Sequence, residues 1–142
     1  MQPGGDSALS KLRRVIRRLF WRGLRKLPTK PQMPGAGIYP KNPLSRPITL
    51  ETPPGTYVFV QDADGVVHVA PDGPHLHPTV LGNGQEAAAA GEIVIGPNNV
   101  VTELNNISFT FQHDADVLKS VRAALQQIGF KVPSDGITPF EY

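Results

Sequence analysis

The chain of 142 residues contains no cysteine, which excludes disulfide scaffolds, four-thiolate zinc sites, iron–sulfur ligation and thiol catalysis. Aromatic residues are scarce at 7%, with a single tryptophan, and nothing in the second half resembles a platform on which nucleic-acid bases could stack. No uninterrupted apolar run is long enough to span a bilayer. An apolar segment followed by a small-residue cleavage site, the mark of a secretory signal, is also missing. Acids are almost absent from the first fifty residues, where Asp6 stands alone against eleven Lys or Arg, for a net charge of +10. Residues 51–142 reverse this, with three basic residues against eleven acids and a net of −8. The first segment can meet an anionic surface that the second would repel.

Glycine and proline are abundant, 14 and 15 residues respectively, proline at about twice average usage and glycine at about one and a half times. Turns, short strands and extended connections must therefore dominate. The order of segments suggests a basic amphipathic helix within residues 1–27, a Pro-rich linker or arm over 28–50, and a sheet-rich core over 51–142. In the first, Leu9, Leu12, Ile16, Leu19, Phe20, Leu24 and Leu27 recur at helical spacing. Lys11, Arg14, Arg18, Arg22 and Arg25 fall largely opposite them, and Pro28 stops the pattern. Trp21 beside Phe20, flanked by arginines, favours an anionic membrane interface. The expected membrane contacts are Leu12, Arg14, Arg18, Leu19, Phe20, Trp21, Arg22 and Arg25. Nucleic-acid phosphates suit the arginines but offer no home for the apolar stripe, and the stripe can alternatively dock on a partner protein or on the chain's own sheet. This places the chain in the cytoplasm or at the membrane periphery, or makes it an effector delivered without a cleavable signal peptide.

The core is expected to be an α+β unit: a twisted antiparallel sheet of four or five strands with one covering helix. Thr56–Val60 and Val66–Val69 read as a hairpin around Asp62-Ala63-Asp64-Gly65, and Glu92–Ile95 with Val100–Leu104 as a second around Gly96-Pro97-Asn98-Asn99. Ile107–Phe111 reads as a further strand, Glu86–Ala90 as a helical turn, and Ala115–Ile128 as the helix, with Gly129 as its stop. Phe130 and Val132 suit a short edge strand, and the tail either frays or is pinned by Ile137, Phe140 and Tyr142.

Chemistry-bearing residues concentrate at Pro74-His75-Leu76-His77-Pro78. In an extended chain the two imidazoles share a side, as a metal or a base with its orienting partner requires. No third ligand at short spacing completes a zinc signature, so neither a metal nor a cofactor is assigned. Carboxylates at Asp72, Glu86 and Glu92 are potential partners, and His113-Asp114 could approach across the sheet. Asp62, Asp64 and Asp72 do not make a calcium loop, because Gly65 falls too early and the closing Glu is missing. Asn105, Asn106, Ser108 and Thr110 supply uncharged hydrogen-bonding groups that can orient a ligand or hold a loop to the sheet. Ser108 has no nucleophile-elbow context, and no phosphate loop exists.

The stretch HPTVLGNGQEAAAAGEIVI, the following NNVVTELNNISFTF and the helix after it resemble a small module at the C-terminal ends of bacterial polymorphic or secreted effector-like proteins. They are also similar to a segment of plant IQ-motif calmodulin-binding proteins. The matching residues are His77, Thr79, Leu81, Gly82, Ala90, Gly91, Glu92, Asn106 and Ser108, within roughly Gly65 to Phe130. The pattern departs at Phe109-Thr110-Phe111, where a glycine and a His-Tyr pair are expected, and no IQ segment is present. The resemblance implies a delivered or accessory module with a ligand pocket around His77, Glu92 and Ser108. Two functions follow as expectations. One is an effector-like interaction module tethered to an anionic membrane or partner by its basic helix. The other is a small toxin-type enzyme, a transferase acting on a nucleotide-containing or macromolecular substrate, with His75 or His77 as base and Glu92 as acid or electrostatic partner, Ser108 standing nearby.

Overall fold

A computed structural model describes residues 39–73, 77–108 and 110–142. The basic segment with its membrane contacts, the first part of the Pro-rich stretch, His75 and Phe109 lie outside the described residues.

Six strands form one mixed sheet: β1 (Arg46–Pro47), β2 (Gly55–Gln61), β3 (Val67–Pro71), β4 (Ala89–Ile95), β5 (Val101–Asn105) and β6 (Ile137–Thr138). Their spatial order is β1-β3-β2-β4-β5-β6. Among the described residues two α-helices accompany it, α1 (Pro78–Leu81) and α2 (Val117–Ile128). The α+β class follows the composition, but the sheet has more strands than the expected four or five and is not wholly antiparallel. The chain leaves β5, passes through α2 and returns beside β5 as β6, parallel to it, with Leu104 facing Ile137 and Asn105 facing Thr138. A helical crossover is the usual means of setting two neighbouring strands parallel.

Both expected hairpins form. β-branched and aromatic residues fill β2, whose Phe59 and Val60 face Val69 and His68 of β3. The turn between them is fastened by Asp62, whose Oδ1 accepts the N–H groups of Asp64 and Val66, each at 2.9 Å. β4 and β5 pair from Ile93↔Leu104 to Ile95↔Val101, with a register irregularity between Val94 and Ile95.

Alternation along the strands sends side chains to two buried faces. Phe59, Val67, Val69, Ala89, Ile93 and Leu104 meet Val117, Leu118, Val121, Ala124 and Leu125 of α2 in the larger cluster. Val58, Val60, Ala70 and Ala90 point the other way, onto Val80 and Leu81 of α1, Ala87 and Phe111. The single expected covering helix accounts for one face, and α1 with the segment after β5 covers the second. α2 ends as expected at Gly129, where φ is 121°. The N–H of Gly129 donates to Gln126 and that of Phe130 to Leu125, which satisfies carbonyls that otherwise lack partners at a helix end.

Two local expectations are corrected. Glu86–Ala90 does not form a helical turn: Ala87–Ala90 are fully buried and the chain enters β4 at Ala89, whose pairing with β2 takes Ala89 and Ala90 opposite Gln61 and Val60. The turn of helix falls instead at Pro78–Leu81, with Pro78 at a position where no N–H is needed. Nor do Ile107, Ser108, Thr110 and Phe111 belong to a strand. Side chains take the backbone groups that a ladder would use: Asn105 Oδ1 accepts from Ile107 N–H, Tyr142 Oη from Ser108 N–H, and Ser108 Oγ from Phe111 N–H.

The described part of the Pro-rich stretch lies against the sheet. Asn42 N–H donates to Thr79 O, Ile48 N–H to Val67 O, and Ser45 Oγ to Val80 O at 2.6 Å. Ile48 joins the α2-side core.

Candidate functional site

His77 is placed by the proline-started turn that follows it, directly before α1. Its Nε2 lies 2.9 Å from the carbonyl oxygen of Gly91. A carbonyl can only accept, so Nε2 carries the proton and Nδ1 is the basic atom. Burial pushes the imidazole below its ordinary pKa, while the Gly91 carbonyl and the carboxylates of Glu92 and Asp72 pull upward without prevailing. His77 is therefore neutral at physiological pH.

Gly91 is required where it stands. A β-carbon there would lie 1.9 Å from Asn105 O and 2.9 Å from the Phe59 ring, so only glycine lets the end of β5 approach β4 this closely. That approach brings Asn105, 3% exposed, against the next residue. Asn105 Oδ1 accepts from the Glu92 N–H at 3.0 Å, and its Nδ2 donates to Glu92 Oε1 at 3.1 Å and Glu103 Oε2 at 3.0 Å. One amide thus holds two carboxylates side by side, and Thr138 Oγ1 donates to the other oxygen of Glu103.

Ser108 belongs to a separate network. Its Oγ is 3.2 Å from Thr110 Oγ1 and accepts the Phe111 N–H at 3.2 Å, and the residue is 2% exposed. Beside it, fully buried Asn106 donates through Nδ2 to His113 O and Phe140 O and accepts the Phe140 N–H. The Tyr142 hydroxyl reaches Asn106 O at 2.7 Å and Ser108 O at 2.8 Å. His113 Nε2 meets Ala87 O at 3.0 Å. The C-terminal tail is therefore pinned, and the hydrogen-bonding cluster at the end of β5 acts as a loop fastener.

The structure thus brings His77 and Glu92 near enough to interact electrostatically, but gives each a different hydrogen-bond partner. Ser108 is engaged elsewhere. Among the described residues no group of three His, Asp or Glu side chains is arranged to hold a metal ion. Asp62 and His68 form an ion-pair geometry across the β2–β3 turn, His68 Nε2 lying 2.9 Å from Asp62 Oδ2. Burial pushes the Asp62 carboxyl upward, but the hydrogen bonds from His68, Val66 and Asp64 outweigh this and leave it below the usual carboxylate range.

One surface feature had no counterpart in the sequence reading. A groove of about 610 Å³ opens between β1, the turn after it and the start of β2, lined by Leu44, Pro47, Pro53, Tyr57, Val69 and Pro71 among others. The available sequence signal was Leu44, an apolar residue among prolines, which the structure leaves 55% exposed. Compared with protein-family models, curated proteins and solved structures, the chain matches none of them.

Proposed function

We propose that the chain is an effector-like interaction module whose basic segment, residues 9–27, attaches it to an anionic membrane surface, leaving the acidic core to make a second contact. The observation that carries this reading is the internal use of the core's reactive groups: His77 Nε2 on Gly91, the Glu92 carboxylate on Asn105, and Ser108 Oγ on Thr110 and Phe111 N–H. The opposed charges of the two segments support the same division of labour. The effector-like character rests on the resemblance of residues 65–130. Among the described residues no helix is long and apolar enough to cross a membrane, which suits peripheral attachment.

The test is binding of the full chain to anionic vesicles. Trp21 fluorescence should shift to the blue, and Leu19→Glu combined with Phe20→Glu should abolish binding by removing apolar burial and adding negative charge. Salt should weaken binding without eliminating it. No fluorescence shift with vesicles, together with tight, salt-sensitive RNA binding, would overturn the membrane reading.

A second reading is favoured by one observation, the neutral imidazole of His77 next to Glu92. It makes the chain a small toxin-type transferase on a nucleotide-containing or macromolecular substrate, with His77 Nδ1 as base. If His77→Ala and Glu92→Ala each fold and keep the native activity or binding, neither residue belongs to a functional site.

A further inference from the structure

Asn83 is the only asparagine in the chain that is followed by glycine. It sits with Gly84 at the centre of the turn after α1, closed by the Gln85 N–H on Gly82 O at 3.1 Å. Both central residues have positive φ, 56° and 72°, as in a type I′ turn. Asn83 is exposed, and no described residue accepts from the Gly84 N–H. Each other asparagine lacks part of this combination. Asn42 precedes Pro43, whose nitrogen carries no hydrogen. Asn98 and Asn99 precede residues with side chains, and Asn105 and Asn106 are buried with their amides hydrogen-bonded.

We infer that Asn83-Gly84 is a site of spontaneous covalent modification, where the asparagine converts to aspartate and isoaspartate and thereby loosens the clasp on the arm that enters the domain at Tyr39. The Gly84 main-chain nitrogen, unshielded by a β-carbon, attacks Asn83 Cγ. A Cγ–N bond forms, the Cγ–Nδ2 bond breaks, and ammonia leaves with the proton lost from the Gly84 N–H. Water then adds to either carbonyl of the resulting five-membered imide. One opening gives aspartate, and the other gives isoaspartate, in which the main chain runs through Cγ and is longer by a methylene. The sum is loss of ammonia and gain of water. Base accelerates the attack by removing the amide proton.

The position gives the change a structural effect. Asn83 N–H donates to Tyr39 O at 2.7 Å, and the Asn42 N–H reaches Thr79 O at 2.8 Å one turn away. Gly82 is so close to the arm that a β-carbon on it would lie 2.5 Å from Lys41 N. The added methylene falls between Gly82 O and the Gln85 N–H that closes the turn, so the turn opens and the Asn83 N–H beside it loses its fixed aim at Tyr39 O, which frees the arm around Asn42. The inference stands independently of the membrane reading, since it uses the core alone.

The experiment ages the full chain at mildly alkaline pH and follows each asparagine by peptide mass mapping, with enzymatic methylation of isoaspartate as a second readout. The Asn83 peptide should convert several-fold faster than those carrying Asn98–Asn99 or Asn105–Asn106, and faster still as pH rises. Amide exchange at Asn42 and residue 83 should increase in the aged protein. Asn83→Gly keeps a residue suited to positive φ and removes the reacting amide, so its exchange should not change with age. Conversion of another asparagine first, or of none, overturns the site. Conversion at Asn83 without faster exchange at Asn42, or equal ageing of Asn83→Gly, overturns the loosened clasp.

Discussion

The two faces of the sheet are held by different means. Against α2 lies a continuous apolar layer in which Phe59, Ile93, Leu104 and Leu125 are fully buried. The opposite face has fewer and smaller apolar groups, with Ala70, Ala87 and Ala90 among them. Beside α1, its cover includes Asn106, Ile107, Ser108, Thr110 and Phe111, which side-chain amides and hydroxyls fasten. Apolar burial is non-directional and tolerates sliding. A buried amide fixes one geometry and is costly to leave unmatched. The α2 face thus supplies most of the cohesion, and the second face supplies register for the residues around His77 and Glu92.

This contrast sets the order of expected effects. Phe59→Ala should be the most damaging, lowering stability by about 3–5 kcal/mol through lost burial and the cavity left behind, as read from urea unfolding. Asn105→Ala removes a four-bonded amide and leaves two neighbouring carboxylates without their shared donor, so a loss of about 1–3 kcal/mol is expected. Faster amide exchange at Glu92 and Ile107 should accompany it. If Asn105→Ala costs as much as Phe59→Ala, the division between cohesion and register fails. Tyr142→Phe removes one hydroxyl from the tail clasp and should cost about 1 kcal/mol, with increased exchange confined to Ser108 and the last residues.

The smallest effect is a pH dependence. His77 has a folded pKa below its ordinary value of 6.5, so below that value the unfolded chain binds more protons than the folded one. Stability contributed by neutral His77 is complete above the ordinary value and is lost as pH falls toward and through the folded pKa. His77→Gln keeps a donor for Gly91 O and cannot titrate, so it should flatten the part of the profile that falls away below 6.5. An unchanged profile would show that His77 is not held neutral by the fold.

The α2 face was legible because its local patterns report burial: Val117, Leu118, Val121 and Leu125 mark one side of a helix, and the β-branched and aromatic run Thr56–Val60 marks a strand. The second face was not, because its structure depends on which polar side chains capture the backbone. Ile107–Phe111 has strand composition, yet Asn105, Ser108 and Tyr142 take its N–H groups. Ala87–Ala90 has helix composition, yet pairing with β2 draws Ala89 and Ala90 into β4. β6, two residues long and paired through a crossover, leaves no local pattern to read. For the site, the residue types were visible but their partners were not: nothing in the spacing tells that His77 bonds the residue before Glu92, or that Asn105 claims the carboxylate.

The sheet's outermost members bear on how the protein behaves when crowded. β1 ends in Pro47 and β6 is followed by Pro139, and each strand is only two residues long. A foreign strand needs a run of unpaired main-chain donors and acceptors to add onto a sheet, and these two borders present almost none. At high local concentration, open borders would seed aggregation. Short, proline-flanked borders let many copies crowd together without joining their sheets.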